Sequence, residues 1–168
     1  VLVDGKKFDK ELIEIKYDHI PKQTVLKKSE AKAVRLNIKK AGNFIGYIKG
    51  AGDLVPESLK QIGYSVVMIN PEEITNEHLR KFDAIVLGIR AYNTIPILKY
   101  KQKFLLEYVN NGGNMVVQYN TSRRADVAAP FKLNLSRDRV TDENAKVEIL
   151  EKNHAVMNFP NKISEQDF

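Results

Sequence analysis

The chain has 168 residues, 27 Lys and Arg against 21 Asp and Glu, three His and no Cys, for a formal charge of +6 with 43% apolar residues. That length and apolar content support a real core and argue against disorder. The missing cysteine excludes disulfides, thiolate metal sites and a cysteine nucleophile, and it leaves the cellular compartment open.

The charge is uneven. Residues 1–40 hold 11 Lys and Arg against 6 Asp and Glu, whereas residues 41–168 hold 16 against 15. The excess therefore sits in an N-terminal arm, where lysines alternate with acids (Lys6, Lys7, Asp9, Lys10, Glu11) as on a solvated surface. A nucleic-acid partner is not expected, because phosphate neutralisation needs a contiguous basic face. The apolar runs fall far short of a membrane span, and the chain opens Val1-Leu2-Val3 with neither a Met nor a signal-peptide pattern. That opening suggests a piece of a longer protein.

In the arm, residues 11–17 and 33–38 alternate apolar and polar side chains, the period of half-buried strands, and His19-Ile20-Pro21-Lys22 reads as the turn between them. They are expected to be a β arm, or the tail of a preceding domain, over residues 1–40.

From residue 43 the pattern changes. Phe44–Ile48 is a buried-type strand ending in Gly50-Ala51-Gly52-Asp53. A helix is predicted over 54–62, with Asp53 as N-cap, Pro56 in its first turn and Gly63 as its stop. A second strand covers 65–69, and a short helix opens at Thr75–His78. A third strand covers 84–88. The longest helix is predicted over 97–109, with Leu98, Phe104, Leu105 and Val109 as its apolar face and Asn111-Gly112-Gly113 as its end. A fourth strand covers 115–119. After Asn120 the regularity stops, apart from a possible strand at 146–150. Strands alternating with helices predict a doubly wound, mostly parallel α/β sheet over 41–168.

In such sheets ligands sit beyond the carboxyl ends of the strands, which selects the loops Gly50–Asp53, Asn70–Glu73, Gly88–Asn93 and Gln118–Thr121. Gly50 and Gly52 fit the first two glycines of a dinucleotide fingerprint, but Val55 stands at the third. No Gly-Lys-Ser/Thr phosphate loop occurs. His19, His78 and His154 share no metal-ligand spacing. No Gly-x-Ser-x-Gly elbow occurs, and Thr121 and Ser122 lack flanking glycines. Arg90, Tyr92 and Asn93 form the densest polar cluster. Arg offers a planar fork for anions, and Asn offers a donor and an acceptor for hydroxyls. With Asn120, Arg137 and the Gly50–Asp53 turn, they are the candidate ligand-binding residues for a sugar or small polar anion. No cofactor is expected.

Three segments carry a resemblance: Ile45-Gly46-Tyr47-Ile48-Lys49-Gly50-Ala51-Gly52-Asp53, the run Asp83–Asn93, and Asn111–Thr121, together with Ser136-Arg137-Asp138-Arg139-Val140-Thr141-Asp142-Glu143. They resemble the C-terminal region of bacterial LmbE-related (PIG-L-type) deacetylase proteins, a region similar to class I glutamine amidotransferase-like, ThuA-like domains with a flavodoxin-like sheet. His154-Ala155-Val156 with Phe159-Pro160 is similar to the His-Pro segment of ThuA-like domains. The resemblance covers about residues 43–168, and the arm more loosely through Tyr17–Leu26.

Two departures limit what it implies. Tyr119-Asn120-Thr121 stands where an amidotransferase needs its Cys, and the zinc motif of the deacetylase, similar to Ala-His-Pro-Asp-Asp-Glu, is absent. The expectation is a non-catalytic accessory domain binding carbohydrate or docking an upstream catalytic domain, whose export would place it outside the cytoplasm. The alternative is a ThuA-like sugar-modifying enzyme with His154 as acid/base and Arg90 or Arg137 holding the substrate.

Overall fold

The computed structural model describes residues 2–30, 37–121, 129–136, 138–142 and 144–168. It divides into two compact units, Val1–Asn37 and Ile38–Phe168.

In the first unit, β1 (Leu2–Val3) and β2 (Lys6–Lys7) pair antiparallel around Asp4-Gly5. Both turn residues have positive φ, 49° and 76°, as a two-residue hairpin turn of the tightest kind requires. A longer hairpin follows: β3 (Lys10–Tyr17) pairs with β4 (Ile20–Lys28), placing Leu12 opposite Leu26 and Ile13 opposite Val25. Period two survives in β3, where Ile13 and Ile15 are half-buried and their neighbours exposed. The partner strand differs from expectation. The turn comes earlier, at Asp18-His19, and Pro21 lies inside β4, because a two-stranded ladder leaves each strand an unpaired edge where a missing N–H costs no bond. Of the expected strand at 33–38, residues 33–36 lie outside the described residues, and 37–38 are not in a strand.

The second unit is built on a four-stranded, all-parallel sheet in the order β6-β5-β7-β8, with β5 Phe44–Ile48, β6 Ser65–Met68, β7 Ala84–Leu87 and β8 Asn114–Val117. The first and second strands exchange places in space, so the sheet is wound outward from β5 in both directions, compatible with a flavodoxin-like arrangement. Helices α1 (Val55–Gln61), α2 (Asn76–Leu79), α3 (Ala91–Thr94) and α4 (Leu98–Asn110) connect the strands.

The unbroken apolar runs of β5 and β7 follow from covering both faces. On one face Ile48, Ile85 and Leu87 pack with Ile74, Leu79, Leu98, Leu105 and Tyr108. On the other, Ile45, Tyr47 and Val86 meet Val55 and Leu59 of α1 and Tyr64. The short helix expected to open at Thr75–His78 is α2, capped by Thr75, whose Oγ1 accepts from the His78 amide at 3.2 Å.

Helix α4 buries Leu98 and Leu105 as predicted and packs Phe104 against the core, but it departs from the predicted face at Val109. Leu98, Gln102, Leu105 and Tyr108 are buried, while Val109 is 37% exposed. Tyr108 displaces Val109 because its larger ring reaches the core and its hydroxyl donates to the Phe82 carbonyl at 2.9 Å. The same ring explains Gly113, where any Cβ would collide with it, while Gly112 (φ 93°) supplies the left-handed helix end.

The run 146–150 is not a strand. No ladder takes its backbone hydrogen bonds, and Leu150 is 84% exposed. The C-terminal segment is instead tied to the entrance of β5: Asn161 Oδ1 accepts from the Lys39 amide, and its Nδ2 donates to the Lys39 carbonyl, each at 2.7 Å. No helix among the described residues is long and apolar enough to cross a membrane.

Val109, the position where the structure departs from the predicted face of α4, separates under mutation from Leu105, which prediction and structure both place in the core. Leu105→Ala should cost about 2–5 kcal/mol in urea unfolding, whereas Val109→Ala should stay within about 0.5 kcal/mol as a surface change. Equal losses would restore the predicted face.

Candidate functional site

Three of the four loops at the carboxyl edge are joined by side-chain hydrogen bonds. Tyr47, wholly buried at the end of β5, donates its hydroxyl to Asp53, with O–O distances of 2.6 and 2.7 Å. Gln118 Nε2, just past β8, donates to the same hydroxyl at 2.8 Å. The Asp53 carboxylate also accepts from the Val55 amide at 3.0 Å and the Ile89 amide at 3.3 Å.

Leu54, rather than Asp53, occupies the cap position of α1. Asp53 still satisfies a first-turn amide from one residue upstream, which leaves its second oxygen for the loop after β7. Burial pushes the Asp53 carboxyl up, but the bonds from Tyr47, Val55 and Ile89 and the nearby Lys49 charge outweigh it and hold the carboxyl below its usual range. Burial, then the Asp53 hydrogen bond and charge, pushes the Tyr47 hydroxyl well above its ordinary value, so it stays a neutral donor.

The backbone of the two loops is equally close. The Ala51 amide donates to the Ile89 carbonyl at 2.7 Å. A Cβ on Gly50 would collide with that same carbonyl oxygen, and one on Gly88 would lie 2.9 Å from the Gly50 nitrogen and from the Tyr47 hydroxyl. Gly50 is therefore explained by loop contact, and so is Asp53.

The candidate cluster divides by where its polar groups go. Tyr92 is buried, and its hydroxyl donates to Gln102 Oε1 inside the core. Burial pushes that hydroxyl up to about 12, with the Gln102 bond opposing. Asn120 is buried as well: its Oδ1 accepts from the Tyr92 amide at 3.2 Å, and its Nδ2 donates to the Gln118 carbonyl at 2.8 Å. Asn93 Oδ1 accepts from the Thr121 amide at 2.8 Å. The Asn93 and Asn120 side chains lace the loop after β7 to the loop after β8, while the Tyr92 side chain anchors the first of these loops to α4. Arg137 lies outside the described residues.

Arg90 is different. It sits at the strand-to-helix turn Gly88-Ile89-Arg90-Ala91 with φ 58° and ψ 24°, and among the described residues only it and Asp4 are non-glycine residues at positive φ. That conformation costs an L-residue about 1–2 kcal/mol, so the surroundings must impose it. The Arg90 amide donates to the Tyr119 carbonyl at 2.7 Å, and the Arg90 carbonyl accepts from the Asn93 and Thr94 amides at 2.9 and 3.0 Å. Its side chain is exposed and forms no ion pair among the described residues.

Tyr119, next to it across the loops, is 67% exposed and was not among the sequence candidates. It lines an open cleft of about 530 Å³ with Asn120, Thr121, Ser136, Asp138 and Arg139. No family model, curated protein or solved structure matches the chain.

His154 stands elsewhere in the second unit. It lines a separate cleft with Glu148, Leu150, Glu151 and Met157 that does not include Arg90. Its Nδ1 accepts from the Val156 amide at 3.2 Å, which places the ring proton on Nε2 and gives the imidazole a local capping task. His78 Nδ1 lies 3.0 Å from the Glu73 carbonyl, a second structural histidine. Among the described residues no three His, Asp or Glu side chains gather as a metal would require.

The Tyr47–Asp53 pair has a pH signature. Tyr47→Phe removes the donor and should cost about 1–3 kcal/mol near neutrality. Asp53 is depressed in the folded state, so its stabilisation is complete above the ordinary aspartate range and is lost as pH falls through the folded value. The stability gap between wild type and Tyr47→Phe should therefore narrow as pH drops below that range, measured by denaturant unfolding at several pH values. A gap independent of pH would show that the pair does not act through the ionised carboxylate.

Proposed function

We propose that residues 41–168 form a non-catalytic, class I glutamine amidotransferase-like accessory domain that binds carbohydrate at the carboxyl edge of its sheet. The observation that carries this reading is the turn at Arg90. A left-handed residue on a strand-to-helix elbow is the device by which α/β hydrolytic enzymes expose a nucleophile, and here the residue so displayed is an arginine. A guanidinium stays protonated and cannot attack a carbonyl, but it binds oxygen ligands through a planar fork.

Further support comes from the neighbours. The exposed Tyr119 ring offers a flat apolar platform, and the cleft beside it carries hydroxyl, carboxylate and guanidinium groups able to bond sugar hydroxyls. Contact with ligand falls to Arg90, Tyr119, Thr121, Ser136 and Arg139, while Tyr92, Asn93, Asn120, Gly50 and Asp53 hold the loops that present them. On the resemblance to LmbE-related proteins, the parent would be a zinc-dependent N-acetylsugar deacetylase, with this domain docking its catalytic part. His154 as a catalytic acid/base has less support, since its Nδ1 is occupied by the Val156 amide in a local cap.

Titration of the isotopically labelled chain with neutral, N-acetylated and acidic saccharides tests the reading by NMR. Amide shifts should cluster at Arg90, Tyr119 and Thr121, and each saccharide should be recovered unchanged. Silence with every saccharide would remove the binding role, and turnover of any of them would remove the non-catalytic one.

A further inference from the structure

We propose that the cleft beside His154 is a self-association surface, which receives the β3–β4 hairpin of a second copy of this chain. The cleft measures about 420 Å³ and is built from residues 148–157. Ile149 and Met157 are half-buried in it, while Leu150 and Val156 line it 84% and 66% exposed. Apolar side chains gathered and exposed in one cleft mark a surface that another molecule covers.

The formal charge of the cleft is of one sign. Glu148 and Glu151 line it, no Lys or Arg does, and neither carboxylate forms an ion pair among the described residues. The neighbouring Lys152 is held by Glu165 at 3.1 Å, away from this pair. An occupant that fits brings apolar side chains and positive charge together.

The hairpin carries that combination. Leu12 and Leu26 face each other across its ladder, 57% and 60% exposed. Two residues along, on the same face, Lys10 stands opposite Lys28. Like charges so placed repel each other. Glu30 pairs with Lys28, whereas Lys10 forms no ion pair among the described residues. Residues 1–40 also hold most of the net charge, with 11 basic residues against 6 acidic ones. Two glutamates on a partner relieve the lysine repulsion, and the leucine pair covers Leu150 and Val156. Two copies can exchange hairpins reciprocally, so one two-fold dimer makes the contact twice.

Sedimentation equilibrium of the 168-residue chain from about 10 μM to about 1 mM tests this. It should show a reversible monomer–dimer equilibrium that added salt weakens. Leu150→Ser, and separately Glu148→Lys with Glu151→Lys, change exposed side chains only and should each weaken dimerisation about tenfold. Because the chain lacks cysteine, a nitroxide on Gln23→Cys marks the hairpin alone. Mixed with isotope-labelled copies that carry no nitroxide, it should broaden the Leu150 and Val156 amide signals. A chain that stays monomeric throughout, or that dimerises as tightly in both cleft variants, would overturn the proposal. Broadening confined to molecules carrying both labels would overturn it as well, because no second copy would then be involved.

Discussion

The Asp53 carboxylate gathers three parts of the chain at one point. It accepts from the Tyr47 hydroxyl on β5, from the Val55 amide at the start of α1 and from the Ile89 amide after β7. A carboxylate is suited to this because it accepts from several directions and its charge strengthens each bond. Its partial burial would raise its energy were those donors missing. Gly50 and Gly88 let the two loops approach closely enough for the bonds to form. Gln118 extends the same network to β8 through the Tyr47 hydroxyl. The carboxyl edge is thereby fixed by buried polar contacts, which leaves its surface groups available for recognition.

That edge holds Arg90 in its unusual turn. The Tyr119 carbonyl and the amides of Asn93 and Thr94 specify the Arg90 backbone, and the Asn120 and Asn93 side chains fix the loops that carry them. A strained residue persists only where its surroundings over-determine it. Asn93 and Asn120, which look like ligand contacts in the sequence, are taken up by these loops. Tyr92 is likewise taken up by the fold, since its hydroxyl is turned inward to Gln102.

The sequence carried the parallel sheet clearly, because strands covered on both faces must be continuously apolar and glycine must end the helices between them. It placed the interior strands within a residue or two. It failed where packing, not pattern, decides. The choice between Tyr108 and Val109 on α4 depends on a bond to Phe82 that periodicity cannot register. Strand β4 bears almost no burial pattern, so neither its start at Ile20 nor its tolerance of Pro21 left an apolar signal. The loops of the site were legible from the strand ends, but roles within them were not. Asn and Tyr have the same letters whether they bond loop backbone or ligand, and only the geometry separates them. The Arg90 elbow keeps only the first of the two flanking glycines by which such turns are read, Gly88, with Tyr92 in place of the second, and Tyr119 could have been found as an aromatic placed directly after a strand.

The central claim is that arginine occupies the elbow for what its side chain binds, and not for what it adds to the fold. Arg90→Gly, compared with wild type by urea unfolding, tests this most directly. Glycine enters the left-handed region freely, so relief of about 1–2 kcal/mol of strain is set against about 0.5–1 kcal/mol of added chain entropy. The account predicts stability unchanged or raised by up to about 1.5 kcal/mol. A loss of more than about 1 kcal/mol would contradict it, because the guanidinium would then be a structural element of the domain.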